Sequence, residues 1–136
     1  MAVSADAQAA PAPDLVPVEG WLERLSGNQL PGSGPSPAAP TVAPGRRVLA
    51  IRGTLPAAAR PLWTAPLQAD RLLGQARTDG HGRFRLLLPP GPVTLLIEVP
   101  GGYWLNRFDG CGDFTSLQVQ PGLAPVRLVD DRGAVF

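Results

Sequence analysis

The sequence predicts an all-β sandwich of about seven short antiparallel strands. Short apolar segments recur with a turn after about every ten residues, which is the spacing of a sandwich. Glycine and proline number 16 and 17 of the 136 residues, and many of them punctuate those segments. The apolar positions lack the 3.6-residue period of a helix. A small closed barrel is the alternative architecture.

The chain divides into a short tail and one domain. Residues 1–15 are rich in alanine and proline, which predicts a flexible N-terminal tail. Residues 16–136 form the predicted domain, and hydrophobic residues, 44% of the chain, suffice for its core. The small-residue run at 5–10 is similar to the end of a signal peptide, so we expect a periplasmic or secreted protein whose signal peptide has been removed. No apolar stretch is long enough to form a membrane span.

The first strand is predicted at residues 16–25. Its alternation of apolar and polar side chains is interrupted at Gly20 and Trp21, which predicts a bulge at that point. Residues 26–45 are predicted to be a long loop, because they contain five prolines and proline cannot donate to a β-ladder. Loops of this length in a compact domain are usually functional or mobile.

The clearest turn signal lies at residues 78–84. Asp79, Gly80 and Gly82 are residue types that tight turns require, and they predict a β-hairpin. The strand that follows alternates arginine with apolar side chains. Its arginines should face solvent, and three of its residues should face the core: Phe84, Leu86 and Leu88.

The remaining apolar segments complete the predicted strands. The strongest of them covers residues 93–99, where β-branched side chains are frequent. The others are predicted at residues 47–55, 67–78, 103–108, 114–119, 126–129 and 134–136. A second loop, residues 56–66, contains Trp63.

Two of these segments resemble a known family. Residues 78–86 read Thr-Asp-Gly-His-Gly-Arg-Phe-Arg-Leu, and residues 88–95 read Leu-Pro-Pro-Gly-Pro-Val-Thr-Leu. They are similar to the D-x-x-G-x-F and P-P-G turns of the carboxypeptidase regulatory-like domain. The segments at 20–32 and 106–112 are similar to its single-domain bacterial branch. The resemblance implies an Ig-like, transthyretin-like (prealbumin-like) sandwich that is often exported and has no assigned chemistry.

The charge and the residue types exclude several functions. The net charge of +1 gives no electrostatic reason to expect nucleic acid as a partner. The single cysteine, Cys111, excludes an internal disulfide and a cysteine-rich metal site. The chain has no lysine, so the lysine-dependent isopeptide bond of some adhesin relatives is excluded. The single histidine, His81, lies in the predicted turn without an orienting partner, so we expect no enzyme and no catalytic residue.

The predicted binding surface combines the loops at 26–32 and 108–113. Aromatic side chains would supply contact area, and polar side chains would fix the loops. The predicted binding residues are Trp21, Asn28, Trp104, Phe108, Asp109 and Asp113. Asp109 and Asp113 are also predicted to hold calcium, because two carboxylates and nearby backbone carbonyls can form a shell of oxygen ligands. The alternative is a turn in which aspartates accept backbone N–H groups. No other cofactor is expected.

The sequence therefore predicts a non-enzymatic module outside the cytoplasm with a structural or binding role. Its partner would be a protein or a carbohydrate, and it would be a monomer or a weak oligomer. One alternative is a carbohydrate-binding module that uses an exposed tryptophan. Another is a hydrolase that works with carboxylates alone, which would require two of Glu23, Asp79, Asp109 and Asp113 to face each other across a cleft.

Overall fold

A computed structural model describes residues 14–29 and 39–135 of the chain. Residues 1–13 of the predicted tail, and the middle of the predicted long loop, lie outside these ranges. The described residues form ten strands: β1 Val16–Asn28, β2 Thr41–Val42, β3 Arg47–Arg52, β4 Leu62–Trp63, β5 Leu72–Arg77, β6 Arg83–Leu88, β7 Gly91–Val99, β8 Gly102–Trp104, β9 Leu117–Val119 and β10 Val126–Val135. One 3-10 turn lies at Ala69–Arg71. None of the described helical segments is long and apolar enough to cross a membrane.

The strands form two sheets around a shared core. In sheet A, β1 lies between β10 on one side and β6 and β2 on the other. In sheet B the strand order is β4-β8-β7-β3-β5, and β9 pairs with the beginning of β7. Apolar side chains of both sheets belong to one buried cluster. The described residues therefore form the predicted all-β sandwich.

β1 alternates without interruption through Gly20 and Trp21, so the bulge predicted there is wrong. Gly20 takes an inward position without a side chain of its own. A Cβ atom on Gly20 would lie 2.2 Å from the carbonyl oxygen of Val126 and 2.6 Å from Cζ of Phe84. The Phe84 ring therefore fills the place of a side chain on Gly20, and Trp21 is turned outward. The irregularity in this strand occurs further along, between Arg24 and Ser26.

β6 confirms the predicted alternation. Its arginines are exposed, and its three predicted core residues are buried. Those core residues are Phe84, Leu86 and Leu88. The side chain between the last two, Leu87, is 51% exposed.

The turn before β6 forms where the sequence predicted it, but the two strands that it joins do not pair with each other. The Asp79 carboxylate accepts hydrogen bonds from the backbone N–H groups of His81 at 2.8 Å and Arg83 at 2.9 Å. The flanking strands do not pair as a hairpin, because β5 pairs with β3 in sheet B and β6 pairs with β1 in sheet A. The turn residues set the reversal of the chain, and the longer-range partners set the pairing.

β10 runs parallel to β1, which an all-antiparallel sandwich would not contain. The register extends from Gly20 opposite Val126 to Asn28 opposite Val135. The two segments predicted at 126–129 and 134–136 are joined within this one strand. Sheet A is therefore mixed, with β1 paired antiparallel on one side and parallel on the other.

A buried carboxylate on β10 connects the two sheets. Asp130 accepts hydrogen bonds from Arg46, which precedes β3, at 2.9 Å and from the side chain of Arg132 at 2.8 and 2.9 Å. Burial raises the pKa of Asp130, but the hydrogen bonds from Arg132 and Arg46 outweigh it and lower the pKa to about 2. The ion pair with Arg46 therefore ties sheet A to sheet B.

Sheet B is buried on both faces at its centre. Residues 48–51 of β3 and 93–97 of β7 are all buried. Because successive side chains of a strand point to opposite faces, both faces of the sheet are covered here. A Cβ atom on Gly74 would lie 3.5 and 3.6 Å from Leu88 and Leu86, so this face of sheet B meets sheet A.

The opposite face of sheet B is covered by an excursion of the chain between β3 and β5. Ile51 lines a pocket there together with Leu55, Trp63 and Leu67. Phe114 is fully buried beside this cover, with its ring centroid 6.2 Å from that of Trp63. The cover consists largely of the predicted loop at 56–66, which contains the short strand β4.

Candidate functional site

The outer face of sheet A carries an aromatic side chain at its centre, beside side chains that are exposed in the described structure. Val18, Gly20 and Leu22 are buried, so the alternating residues of β1 point away from the core. Those outward residues are Glu19, Trp21 and Glu23. Trp21 is half-buried and lies in the middle strand of the sheet, with a neighbour on each side.

Two arginines flank Trp21 in the same row of the sheet. The register places Trp21 opposite Arg83 of β6 and opposite Arg127 of β10. Residues directly opposite each other share a face, with Cβ atoms about 5 Å apart. Trp21 therefore has an arginine as its neighbour on each side in the sheet. We call these three residues the Trp21 row.

A cleft of about 550 Å³ opens beside Trp21. The buried residues Gly20 and Phe84 border it as well. The other lining residues are Glu19, Trp21, Val42, His81, Arg83 and Pro125. The volume falls in the usual range for small-molecule sites, about 300 to 1,000 Å³. The cleft thus combines one aromatic surface with charged and polar groups around it.

Trp21 differs from the two other tryptophans in what it contacts. Trp63 and Trp104 pack against the core cluster, whereas Trp21 is not among the residues that do so. Trp104 donates its indole N–H to Asp131 of β10 at 2.9 Å. The indole N–H of Trp21 has no partner within residues 14–29 and 39–135. Trp21 therefore contributes an aromatic surface that internal packing does not use.

Some of the charged side chains around the Trp21 row form ion pairs, and others do not. Arg127 donates from Nε to Glu23 at 2.5 Å, which leaves the terminal amino groups of Arg127 without a partner in the described parts of the chain. Arg85 lies 3.9 Å from Glu19, at the limit of an ion pair, and both side chains are well exposed. For Arg83, no carboxylate of the described residues lies within ion-pair distance. The row is therefore rich in hydrogen-bond donors.

The turn beside the cleft holds one more carboxylate. The pKa of Asp79 is lowered because it accepts hydrogen bonds from the backbone N–H groups of Arg83 and His81. These bonds fix the start of β6, and with it the position of Arg83 in the row. Asp79 thus acts as a turn cap next to the site.

The predicted site residues lie on different parts of the sandwich. Trp21 is on the outer face of sheet A. Trp104 shares the inward face of sheet B with Ile97, its register partner on β7. Phe108 stacks on Phe114, with ring centroids 5.8 Å apart, beside the cover of sheet B. The structure therefore does not bring these three aromatic residues to one surface.

The first of the two predicted loops is only partly described. Asn28 is the last residue of β1, where its backbone pairs with Val135, and its side chain lies outside what the structure describes. Residues 26–28 of the predicted 26–32 loop belong to strand β1 instead. A binding role for Asn28 stays a prediction.

The second predicted loop is a tight turn. The Asp109 carboxylate accepts the backbone N–H groups of Cys111 at 2.8 Å and of Asp113 at 3.1 Å. This is the capping arrangement that was the alternative to calcium. Across residues 14–29 and 39–135, no group of three or more histidine, cysteine, aspartate or glutamate side chains is placed to hold a metal ion. A calcium ion at Asp109 and Asp113 stays a prediction.

The carboxylates of the predicted hydrolase alternative are held in separate local networks. Asp79 and Asp109 each cap their own turn, and Glu23 pairs with Arg127. Asp113 donates its backbone N–H to Asp109 in that same turn. Asp79, Asp109 and Glu23 are thus each engaged by a different partner, and a hydrolase that works with carboxylates stays a prediction.

Three residues of the site were not predicted as site residues from the sequence: Arg83, Arg127 and His81. Arg127 reaches the Trp21 row only through the parallel pairing of β10 with β1, which no local pattern indicates. His81 was interpreted as a turn residue, and it is one, but its turn borders the cleft. For Arg83 a local signal was present, because the alternation of β6 already indicated that this side chain faces solvent.

Comparison with known proteins identifies the fold and no family. No protein-family profile matches the chain, and no curated protein matches it either. The chain is similar to the crystal structure of a candidate carbohydrate-binding protein from Pseudomonas aeruginosa, with 18% sequence identity and a TM-score of 0.51. The alignment covers 95% of this chain and 97% of the other. At this identity, the likeness supports the β-sandwich fold alone.

Proposed function

We propose that the protein is a non-enzymatic carbohydrate-binding module, and that the outer face of sheet A, centred on Trp21, holds the sugar. The observation that carries this proposal is the half-buried Trp21 between Arg83 and Arg127. An indole offers a flat apolar surface for the C–H face of a sugar ring. The flanking guanidinium groups can donate to its hydroxyl oxygens.

The geometry favours binding over catalysis. The site lies on the rigid centre of a sheet, where strand pairing on both sides fixes the direction of each side chain. A site with one aromatic surface and a few convergent polar groups is the usual composition of a small-molecule site. The structural neighbour carries a name that refers to carbohydrate binding, which agrees with the proposal.

The protein's family and cellular location belong to the proposal as well. The tight turn capped by Asp79 supports a carboxypeptidase regulatory-like domain, because it uses the aspartate and glycine positions of that domain's turn. A sandwich that binds carbohydrate would act in the periplasm or outside the cell, as the run of small residues at 5–10 suggests.

Calorimetric titration with a panel of soluble polysaccharides tests the proposed site. The Trp21→Ala variant should bind at least about ten-fold more weakly than the unmodified protein, because the stacking surface is lost. The matched control is Leu87→Ala, which removes an exposed apolar side chain from β6 on the same face of sheet A. Leu87 lies four residues from Arg83, roughly 13 Å along the strand.

The outcomes separate clearly. Binding that Trp21→Ala weakens and Leu87→Ala preserves supports the site. Binding that both variants preserve would place the sugar elsewhere on the protein. A complete absence of binding across neutral and charged polysaccharides would contradict the proposed function.

A further inference from the structure

We infer that the sugar held by the Trp21 row carries a carboxylate, so that the ligand class is a uronic-acid polysaccharide. This inference rests on the proposed function and concerns the selectivity of the same site. It follows from the donors and acceptors beside the indole, and from which of them already have partners.

The row that contains Trp21 offers donors on both sides. Arg83 presents an exposed guanidinium with no ion-pair partner in the described chain, and Arg127 uses only Nε to contact Glu23. A guanidinium has five N–H donors and no acceptor, so the two arginines leave most of their donors available. Trp21 adds its indole N–H to this set.

The acceptors near the cleft lie in other rows or are already engaged. Glu23 lies two residues along β1 from Trp21, opposite Val129 of β10, and its carboxylate is held by Arg127. Glu19 lies opposite Arg85 rather than opposite Arg83. Asp79 is committed to the backbone N–H groups of its turn. His81, on the cleft wall, is exposed, and its backbone N–H is one of the groups that Asp79 accepts.

A carboxylate matches this arrangement better than a hydroxyl. A hydroxyl both donates and accepts, whereas a carboxylate only accepts, with two oxygens in one plane. The planar fork of a guanidinium can bind those two oxygens with parallel hydrogen bonds, and such charge-assisted pairs are stronger than neutral ones. A uronic acid stacked on Trp21 would direct its carboxylate in the ring plane toward Arg83.

The experiment compares one polysaccharide in two charge states. Oligogalacturonides are titrated calorimetrically beside the same oligosaccharides with every carboxyl group methyl-esterified, which removes the charge and keeps the sugar. We expect the free acid to bind about ten-fold more tightly at low salt. We also expect this preference to shrink as salt is added, because an exposed charge pair is screened.

Variants assign the preference to one side chain. Arg83→Gln should bring the ratio of the two dissociation constants close to one. The matched control is Arg60→Gln, which removes the same charge from an exposed position outside sheet A, in the excursion between β3 and β5. The control should keep the full ratio.

Each outcome is decisive. Equal binding of acid and ester that still depends on Trp21 overturns the carboxylate inference and keeps the carbohydrate module. An equal loss of preference in both arginine variants would show general charge attraction and overturn the role of Arg83. Dextran sulfate binding that matches the free acid, with dextran inactive, would assign the site to oxyanions in general and overturn the choice of carboxylate. A protein that binds none of these sugars but does bind a neutral polysaccharide overturns the carboxylate inference alone, whereas a protein that binds no polysaccharide contradicts both proposals.

Discussion

The outer faces of the two sheets differ in polarity and in burial. The outer face of sheet A is polar, with arginine and glutamate around the half-buried Trp21. The outer face of sheet B is apolar and is buried under the chain between β3 and β5. The comparison indicates that the surrounding sheet face decides how a tryptophan is used in this small sandwich. Trp63 serves packing, and we propose that Trp21 serves recognition.

The largest expected effect concerns the cover of sheet B. Phe114 is fully buried, and Trp63 and Phe108 pack around it. Phe114→Ala should lower the free energy of unfolding by about 3–5 kcal/mol, because a buried aromatic ring leaves a cavity. Urea denaturation measures this change, with Leu87→Ala as an exposed control. A loss of less than about 1 kcal/mol would show that the cover is not part of the core.

The next effect tests the contact between the two sheets. The pKa of Asp130 is lowered to about 2 in the folded protein, so its contribution to stability is present above the unfolded pKa near 4 and is lost as the pH falls through 2. That contribution corresponds to about 2–3 kcal/mol. Urea denaturation at several pH values between 6 and 2 measures it. The free energy of unfolding should fall less steeply with decreasing pH in Asp130→Asn than in the unmodified protein. An equally steep fall in both would assign the acid sensitivity to other carboxylates.

A smaller effect is expected at the inward side of sheet A. A Cβ atom on Gly20 would overlap the backbone of Val126 and the ring of Phe84. Gly20→Ala should therefore cost about 2 kcal/mol of stability by overpacking. Gly80→Ala is the control, because no atom lies within 4 Å of its added Cβ. Thermal unfolding compares the two variants. Equal melting temperatures would show that β10 and the Phe84 ring shift to accommodate the added methyl group without a loss of stability.

The smallest expected effect on stability is that of Trp21→Ala, and it compares the two outer faces directly. Trp21→Ala should change the free energy of unfolding by about 1 kcal/mol or less, because its ring is not packed on the core. The same substitution at Trp63 should cost about 3 kcal/mol, because Trp63 packs on Phe114. If both substitutions cost the same, Trp21 is a structural residue and the proposed role of its face fails.

Local patterns predicted the fold class and many of its strands. The alternation in β6 and the turn at Asp79 depend on neighbouring residues, so the sequence could indicate both. Gly20 was misinterpreted because its inward position is filled by Phe84 from another strand. Likewise, nothing within residues 126–135 indicates that β10 lies parallel to β1. Such features depend on partners that are distant in the chain.

The candidate site was predictable only in part for the same reason. Trp21 was named from its residue type, and Arg83 was placed in solvent by alternation. That these two residues share a row with Arg127 follows from the register of three strands, which the sequence does not encode locally. Asp109 and Asp113 were grouped correctly in one turn, but a pattern of acidic residues does not distinguish a turn cap from an ion ligand.

The position of β10 beside β1 has a consequence for folding. Glu23 and Arg127, which meet across this pair, are 104 positions apart in the chain. Contacts between distant segments slow folding, because a large loop must close before the contact is gained. During synthesis, β1 leaves the ribosome long before β10, and the edge of β1 that β10 covers stays unpaired and exposed to other chains until then.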